Sequence, residues 1–163
     1  MRWLIWVMLM LGLVPCLTLA QTADKHHGQG YVFVAPGGAT GGGMTDTTLH
    51  FGGGGEGLLY KGLGVGAEVG YLGPTAGLGD GFGLFSVNGS YHVLPKNEGK
   101  VAPFVTAGYS LSFRSGTANL FNFGGGINYW ISKRVGLRLE FRDHVWFEGP
   151  IHYWGFRIGV AFR

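Results

Sequence analysis

Between residues 135 and 147 the chain alternates with a period of two. The odd positions are Val135, Leu137, Leu139, Phe141, Asp143, Val145 and Phe147, and the even ones include Gly136, Arg138, Glu140, Arg142 and His144. Successive side chains of an extended strand point to opposite faces. The stretch is therefore predicted to be a strand with one almost wholly apolar face and one strongly charged face. Residues 153–162 repeat the pattern, with Trp154, Phe156, Ile158, Val160 and Phe162 against Gly155, Arg157, Gly159 and Ala161. The segment 100–113 sets Val101, Val105, Tyr109 and Leu111 against Thr106, Gly108 and Ser110, and 62–73 sets Leu63, Val65 and Val69 against Gly64, Gly66, Glu68 and Gly70. The segment 30–39 is apolar on both phases, and its phase stays open.

Alternation is common to soluble and membrane strands, so the placement of charge decides between them. Glu56, Glu68, Arg138, Glu140, Arg142, His144 and Arg157 all fall on the face opposite the hydrophobes. On the apolar face only Asp143 is charged, near a strand end where the cost in lipid is small. A water-soluble barrel turns its charges outward, and this chain is predicted to do the reverse. Aromatic residues of the apolar face gather near strand ends. Tyr71, Tyr109, Phe113 and Trp154 lie toward one end, and Tyr91, Tyr129 and Phe162 toward the other, the layout of two interfacial girdles.

Composition removes the competing fold classes. Only 13% of residues are charged and 15% are aromatic, the opposite of a disordered chain. The 33 glycines follow no three-residue period, which excludes collagen, and each would cost a helix interior about 1 kcal/mol relative to alanine. Turn-like clusters divide the chain into eight segments: 30–39, 48–60, 62–73, 82–94, 100–113, 120–131, 135–147 and 153–162. Short polar connections at 60–62, 95–99 and 132–134 alternate with connections at 40–47, 74–81, 114–119 and 148–152. The expected fold is all-β, an eight-stranded antiparallel up-and-down transmembrane β-barrel.

Ahead of it, Arg2, the apolar run from Trp3 to Val14 and the Thr18-Leu19-Ala20 site have the layout of a secretory signal peptide. The expected organisation is a cleaved leader at 1–20, a short tail at 21–29 and the barrel at 30–163. The single cysteine, Cys16, lies in the leader, so no disulfide is expected. A formal charge of +3 is too small to suggest nucleic acid as a partner.

The stretches Val101-Ala-Pro-Phe-Val-Thr-Ala-Gly-Tyr109 and Phe123-Gly-Gly-Gly-Ile-Asn-Tyr129 resemble central strands of small outer-membrane barrels. Gly136-Leu-Arg-Leu-Glu-Phe-Arg142 resembles their penultimate strand. The family is that of the OmpA-like and OmpX-like eight-stranded barrel domains, over roughly residues 30 to 163. The resemblance implies residence in the outer membrane of a Gram-negative envelope, contact with its lipids and lipopolysaccharide, and delivery by periplasmic chaperones and the barrel-assembly machinery. A monomer without cofactor or metal is expected. Two departures stand out: the recorded sequence ends in Arg163 after the aromatic Phe162, and it includes no peptidoglycan-binding domain.

The inward charges are the best candidates for function. Glu56, Glu68, Arg138, Glu140, Arg142 and Arg157 are expected to form one layer near mid-height, with Glu68 reaching Arg138 or Arg142 across the lumen. The leading expectation is a structural or narrow-passage barrel with a charged, plugged lumen and no catalysis. One alternative is a lipid A-modifying enzyme, which needs a serine, a histidine and a carboxylate in reach of one another. His144 and Glu148 lie near one rim without a neighbouring serine, and Ser86, Ser90, Ser110 and Ser112 are predicted to point inward. Another alternative is surface interaction or adhesion through the outer loops, although these are short. The glycine runs at 52–55 and 124–126 match no nucleotide fingerprint. His26-His27 beside Asp24 is weak evidence for a metal.

Overall fold

The computed structural model describes residues 28–93, 99–149 and 151–163. The expected leader, the His26-His27 pair and most of the turn at 95–99 lie outside them. Eight strands follow in order: β1 (Gly28–Gly41), β2 (Met44–Tyr60), β3 (Leu63–Pro74), β4 (Phe82–His92), β5 (Val101–Phe113), β6 (Thr117–Trp130), β7 (Val135–Trp146) and β8 (His152–Phe162). Each pairs antiparallel with its sequence neighbour, and β1 closes on β8 from Gly30↔Phe162 to Thr40↔His152. Closure leaves no edge strand with unpaired backbone groups.

The strands run further than the turn-like clusters suggest. The expected loop at 40–47 shrinks to Gly42-Gly43, with φ of 60° and 82°. Both values are positive, so this is a two-residue hairpin turn whose twist matches the flanking strands. Lys61 and Gly62, also at positive φ, make a similar turn between β2 and β3. The connection expected at 114–119 reduces to Arg114, Ser115 and Gly116. Pairing register, rather than local composition, carries these segments past their glycines and threonines.

Register also settles the phase of β1. Tyr31 faces Gly54 on β2 and Ala161 on β8, and Phe33 faces Gly52 and Gly159. Tyr31, Phe33 and Ala35 are buried inside, whereas Val32 and Val34 are exposed outside. The outer wall is apolar around its whole circumference, with Val65, Phe85, Val105, Phe123, Phe141 and Ile158 among its exposed residues. Of the expected girdle, Tyr109 and Phe113 lie outward toward one rim, with Tyr91, Tyr129 and Phe162 outward toward the other. Tyr71 and Trp154 share the outward face and are half-buried against neighbours. Tyr71 packs on Phe51, and Trp154 on Phe156.

The interior is narrow because bulky residues stand opposite bare backbone. A methyl group on Gly126 would meet the Leu139 carbonyl and stand 2.7 Å from the Glu140 Cα, and one on Gly124 would meet the Phe141 carbonyl. The inward face of β6 therefore lies flat where β7 projects Arg142 and Glu140. Eight strands enclose just enough space for side chains to fill.

Candidate functional site: the barrel lumen

Inward positions of all eight strands supply a column of polar side chains. β7 contributes Arg138, Glu140, Arg142 and His144, β8 contributes Arg157, β3 contributes Glu68, and β2 contributes His50 and Glu56. None of these is more than 9% exposed. A charge in so dry a place must be paired and hydrogen-bonded, and its neighbours are arranged accordingly.

The central tier is a network of five charges. Glu140 accepts from Arg138 Nε at 3.0 Å and from Arg142. Glu68 accepts from Arg157 Nη1 at 2.7 Å and from the Tyr31 hydroxyl at 3.0 Å. Arg157 Nη1 also lies 3.8 Å from Glu140 Oε1, linking the two carboxylates across one guanidinium. Aromatic faces hold the cations: Arg138 over Phe104 at 3.9 Å and Tyr31 at 4.4 Å, and Arg157 over Phe33 at 4.2 Å.

Two expectations need correction. Glu68 pairs with Arg157, not with Arg138 or Arg142. Those two arginines flank Glu140 on the same strand face, two residues away on each side, and it engages both. Glu56 stands apart from the central network, lower in the lumen. It pairs with His92 and accepts from Gln29 Nε2 at 3.3 Å, and the His92 ring stacks on Phe104 at 5.2 Å. Equal residue counts from a turn do not give equal height, because tilted strands are staggered around a barrel.

On the side of the central tier facing the Gly42-Gly43 turn, the network continues through neutral groups. A guanidinium nitrogen can only donate. Arg157 Nη2 lies 3.2 Å from His144 Nε2, so that nitrogen accepts and the ring proton sits on Nδ1. Nδ1 then donates to Ser110 Oγ at 3.2 Å. Ser110 also accepts from Asn122 Nδ2 at 2.9 Å and is left to donate to Ser86 at 2.8 Å. Asn122 in turn accepts from Arg142 Nη1 at 2.8 Å and donates to Asn88 at 2.9 Å. The cavity beside this chain, lined by Thr48, His50, Arg142, His144, Tyr153 and Arg157 among others, has room for about one water molecule.

A serine and a histidine thus meet after all, deep in the lumen. Their polarity opposes nucleophilic catalysis: a general base must accept the serine proton, whereas this histidine donates to the serine. Ser110 and His144 are essentially inaccessible, at 0% and 1% exposed. Glu148 is exposed outside the strands and takes no part in this chain of bonds. Among the described residues, no group of three or more His, Cys, Asp or Glu side chains could hold a metal ion.

Sequence reasoning missed Tyr31, Phe33, His50, His92 and the asparagines at 88, 122 and 128. His92 was accessible from the two-residue phase of Ser86, Asn88 and Ser90. Tyr31 and Phe33 were not, because Val32 and Val34 are as apolar as they are. Asp143 faces outward as expected, and it carries a partner: His152 Nδ1 at 2.8 Å.

No protein-family model and no curated relative matches the chain. Solved structures do. Neisserial surface protein A superposes with a TM-score of 0.63 at 12% identity, over 83% of this chain and 96% of that one. The attachment invasion locus protein Ail of Yersinia pestis gives 0.60 at 13% identity, covering 83% and 96%. The N-terminal β-barrel domain of Pseudomonas aeruginosa OprF gives 0.59 at 18% identity, covering 83% and 98%. At these identities the likeness is one of fold, and the chain has the closed eight-stranded, up-and-down β-barrel fold of these proteins.

Proposed function

We propose that this chain is a structural barrel of the bacterial outer membrane whose lumen is plugged by its own ion pairs. One observation carries the reading. Arg142, Arg157, Glu68 and Glu140 span the interior from β3 to β7 and β8, each at most 4% exposed, beside a cavity of about one water's volume. The apolar outer wall supports insertion into lipid, and its aromatic ends support seating at the two interfaces. In this reading the leader at 1–20 directs export, chaperones and the assembly machinery deliver the chain, and it works as a monomer among outer-membrane lipids and lipopolysaccharide. The end carrying Lys61 and Arg134 then faces the periplasm and the Gly42-Gly43 end faces outward.

Lipid A hydrolysis is disfavoured by the direction of the Ser110–His144 hydrogen bond and by its burial. Adhesion would have to act through outer connections as short as Gly42-Gly43 and Arg114 to Gly116. Planar-bilayer conductance tests the plug. Wild-type protein is expected to give negligible current, and Arg142→Ala to raise it by unpinning Asn122 and one side of Glu140. A steady, large wild-type conductance would overturn the plug.

A further inference from the structure

Charges outside the lumen are divided unequally between the two ends. Among the described residues the turn end carries Lys61, Lys100, Lys133, Arg134 and Arg163, and no Asp or Glu side chain outside the lumen. The other end carries Asp46, Asp80, Asp143 and Glu148, against Arg114 and His152. Both of the latter are engaged, Arg114 with Asp80 at 3.6 Å and His152 with Asp143 at 2.8 Å. At the turn end the situation differs. Lys61, Lys100, Lys133, Arg134 and Arg163 are all exposed, and none forms an ion pair with a described residue.

Arg163 is tied to the turn that carries Lys133 and Arg134. The Arg163 amide donates to the Arg134 carbonyl at 3.0 Å, and its guanidinium donates to the Lys133 carbonyl at 3.2 Å while stacking on Trp130 at 3.8 Å. Lys133 and Arg134 are neighbours in that turn, and like charges so placed repel unless an anion joins them. Their position indicates which anion. Tyr129 and Phe162, outward at the same rim, mark the level where hydrocarbon gives way to headgroups. Arg163 follows Phe162 directly, Lys61 follows the exposed Tyr60, and Lys133 and Arg134 come four and five residues after Tyr129, in the turn beyond it. The cations therefore lie at headgroup depth, around three successive turns and the end of β8. Basic residues beside an anionic leaflet are each worth about 1 kcal/mol of attraction.

We infer that the turn end is a cationic collar that binds the phosphate headgroups of anionic phospholipids in the adjoining inner leaflet. Lys133 and Arg134 form its densest contact, while the Arg163 guanidinium is turned over the inward Trp130 and braces their turn. The inference rests on the outer-membrane reading above, and the experiment separates the two. The mature chain is refolded into phosphatidylcholine vesicles with and without phosphatidylglycerol, insertion is read by heat-modifiable migration, and retained lipid is counted by native mass spectrometry after detergent extraction.

Retained phosphatidylglycerol should exceed phosphatidylcholine at least tenfold, and the preference should fall with added salt. Each cation removed should lower it about fivefold, in Lys133→Gln/Arg134→Gln and independently in Lys61→Gln/Lys100→Gln. Arg114→Gln at the other end should leave it unchanged. Failure to insert into any vesicle would overturn the membrane reading itself. Normal insertion with equal retention of both lipids would overturn the collar alone. So would a preference that survives both double variants, or binding of soluble peptidoglycan fragments without any preference for phosphatidylglycerol.

Discussion

β7 presents two environments one residue apart. Arg138, Glu140 and Arg142 point inward, fully desolvated and bonded to one another, while Leu137, Leu139 and Phe141 point outward as part of the apolar wall. The inner face tolerates charge only because every charge has a nearby opposite or an aromatic ring. The outer face tolerates almost any hydrophobe, since lipid tails fit whatever they meet. Inward residues are therefore specified as a set, and outward residues only as a class.

The sharpest way to break this contrast is to remove one inward partner. Glu140→Ala leaves Arg138 and Arg142 without their shared carboxylate and should cost about 3–5 kcal/mol, read as a lowered urea midpoint for the vesicle-inserted barrel. Placing a charge on the other face, as in Leu139→Arg between the two girdles, should cost about 2–4 kcal/mol in the same assay. If Leu139→Arg proved neutral, the outer wall would not be facing hydrocarbon. A smaller effect, about 1–3 kcal/mol, is expected for Gly126→Ala, whose new methyl group must displace β7 backbone. The corresponding change at the outward Gly55, where the nearest atom to an added Cβ is 3.8 Å away, should be close to silent. Among the changes expected to destabilise, the smallest effect belongs to the rim. Tyr109→Phe removes an exposed hydrogen bond to Asn119 and should cost about 0.5–1.5 kcal/mol.

Legibility followed the same division. Strands β3, β5, β7 and β8 could be phased from sequence because one phase is apolar and the other is not. With them came the inward placement of Glu68, Arg138, Glu140, Arg142, His144 and Arg157. β1 could not be phased, since Tyr31 and Phe33 are inward for their ring faces and their fit against glycine, not for polarity. The strand ends were misjudged at Gly42-Gly43 and at 114–119. Glycine and serine there read as loop, yet cross-strand hydrogen bonds extend the sheet through them. The partners within the lumen were also hidden, because Glu68 and Arg157 are far apart in the chain and meet only when β1 closes on β8.

By itself, then, the sequence determined the architecture: a two-residue period with charge on one phase and hydrophobe on the other admits an inverted barrel and little else. That information is local, written within each strand. The tertiary structure decided which charge meets which, that Glu56 stands apart with His92, and that the Arg157 guanidinium directs the His144 proton toward Ser110. Those outcomes depend on barrel closure and strand stagger, which set height and facing across the lumen and leave no mark on any single segment.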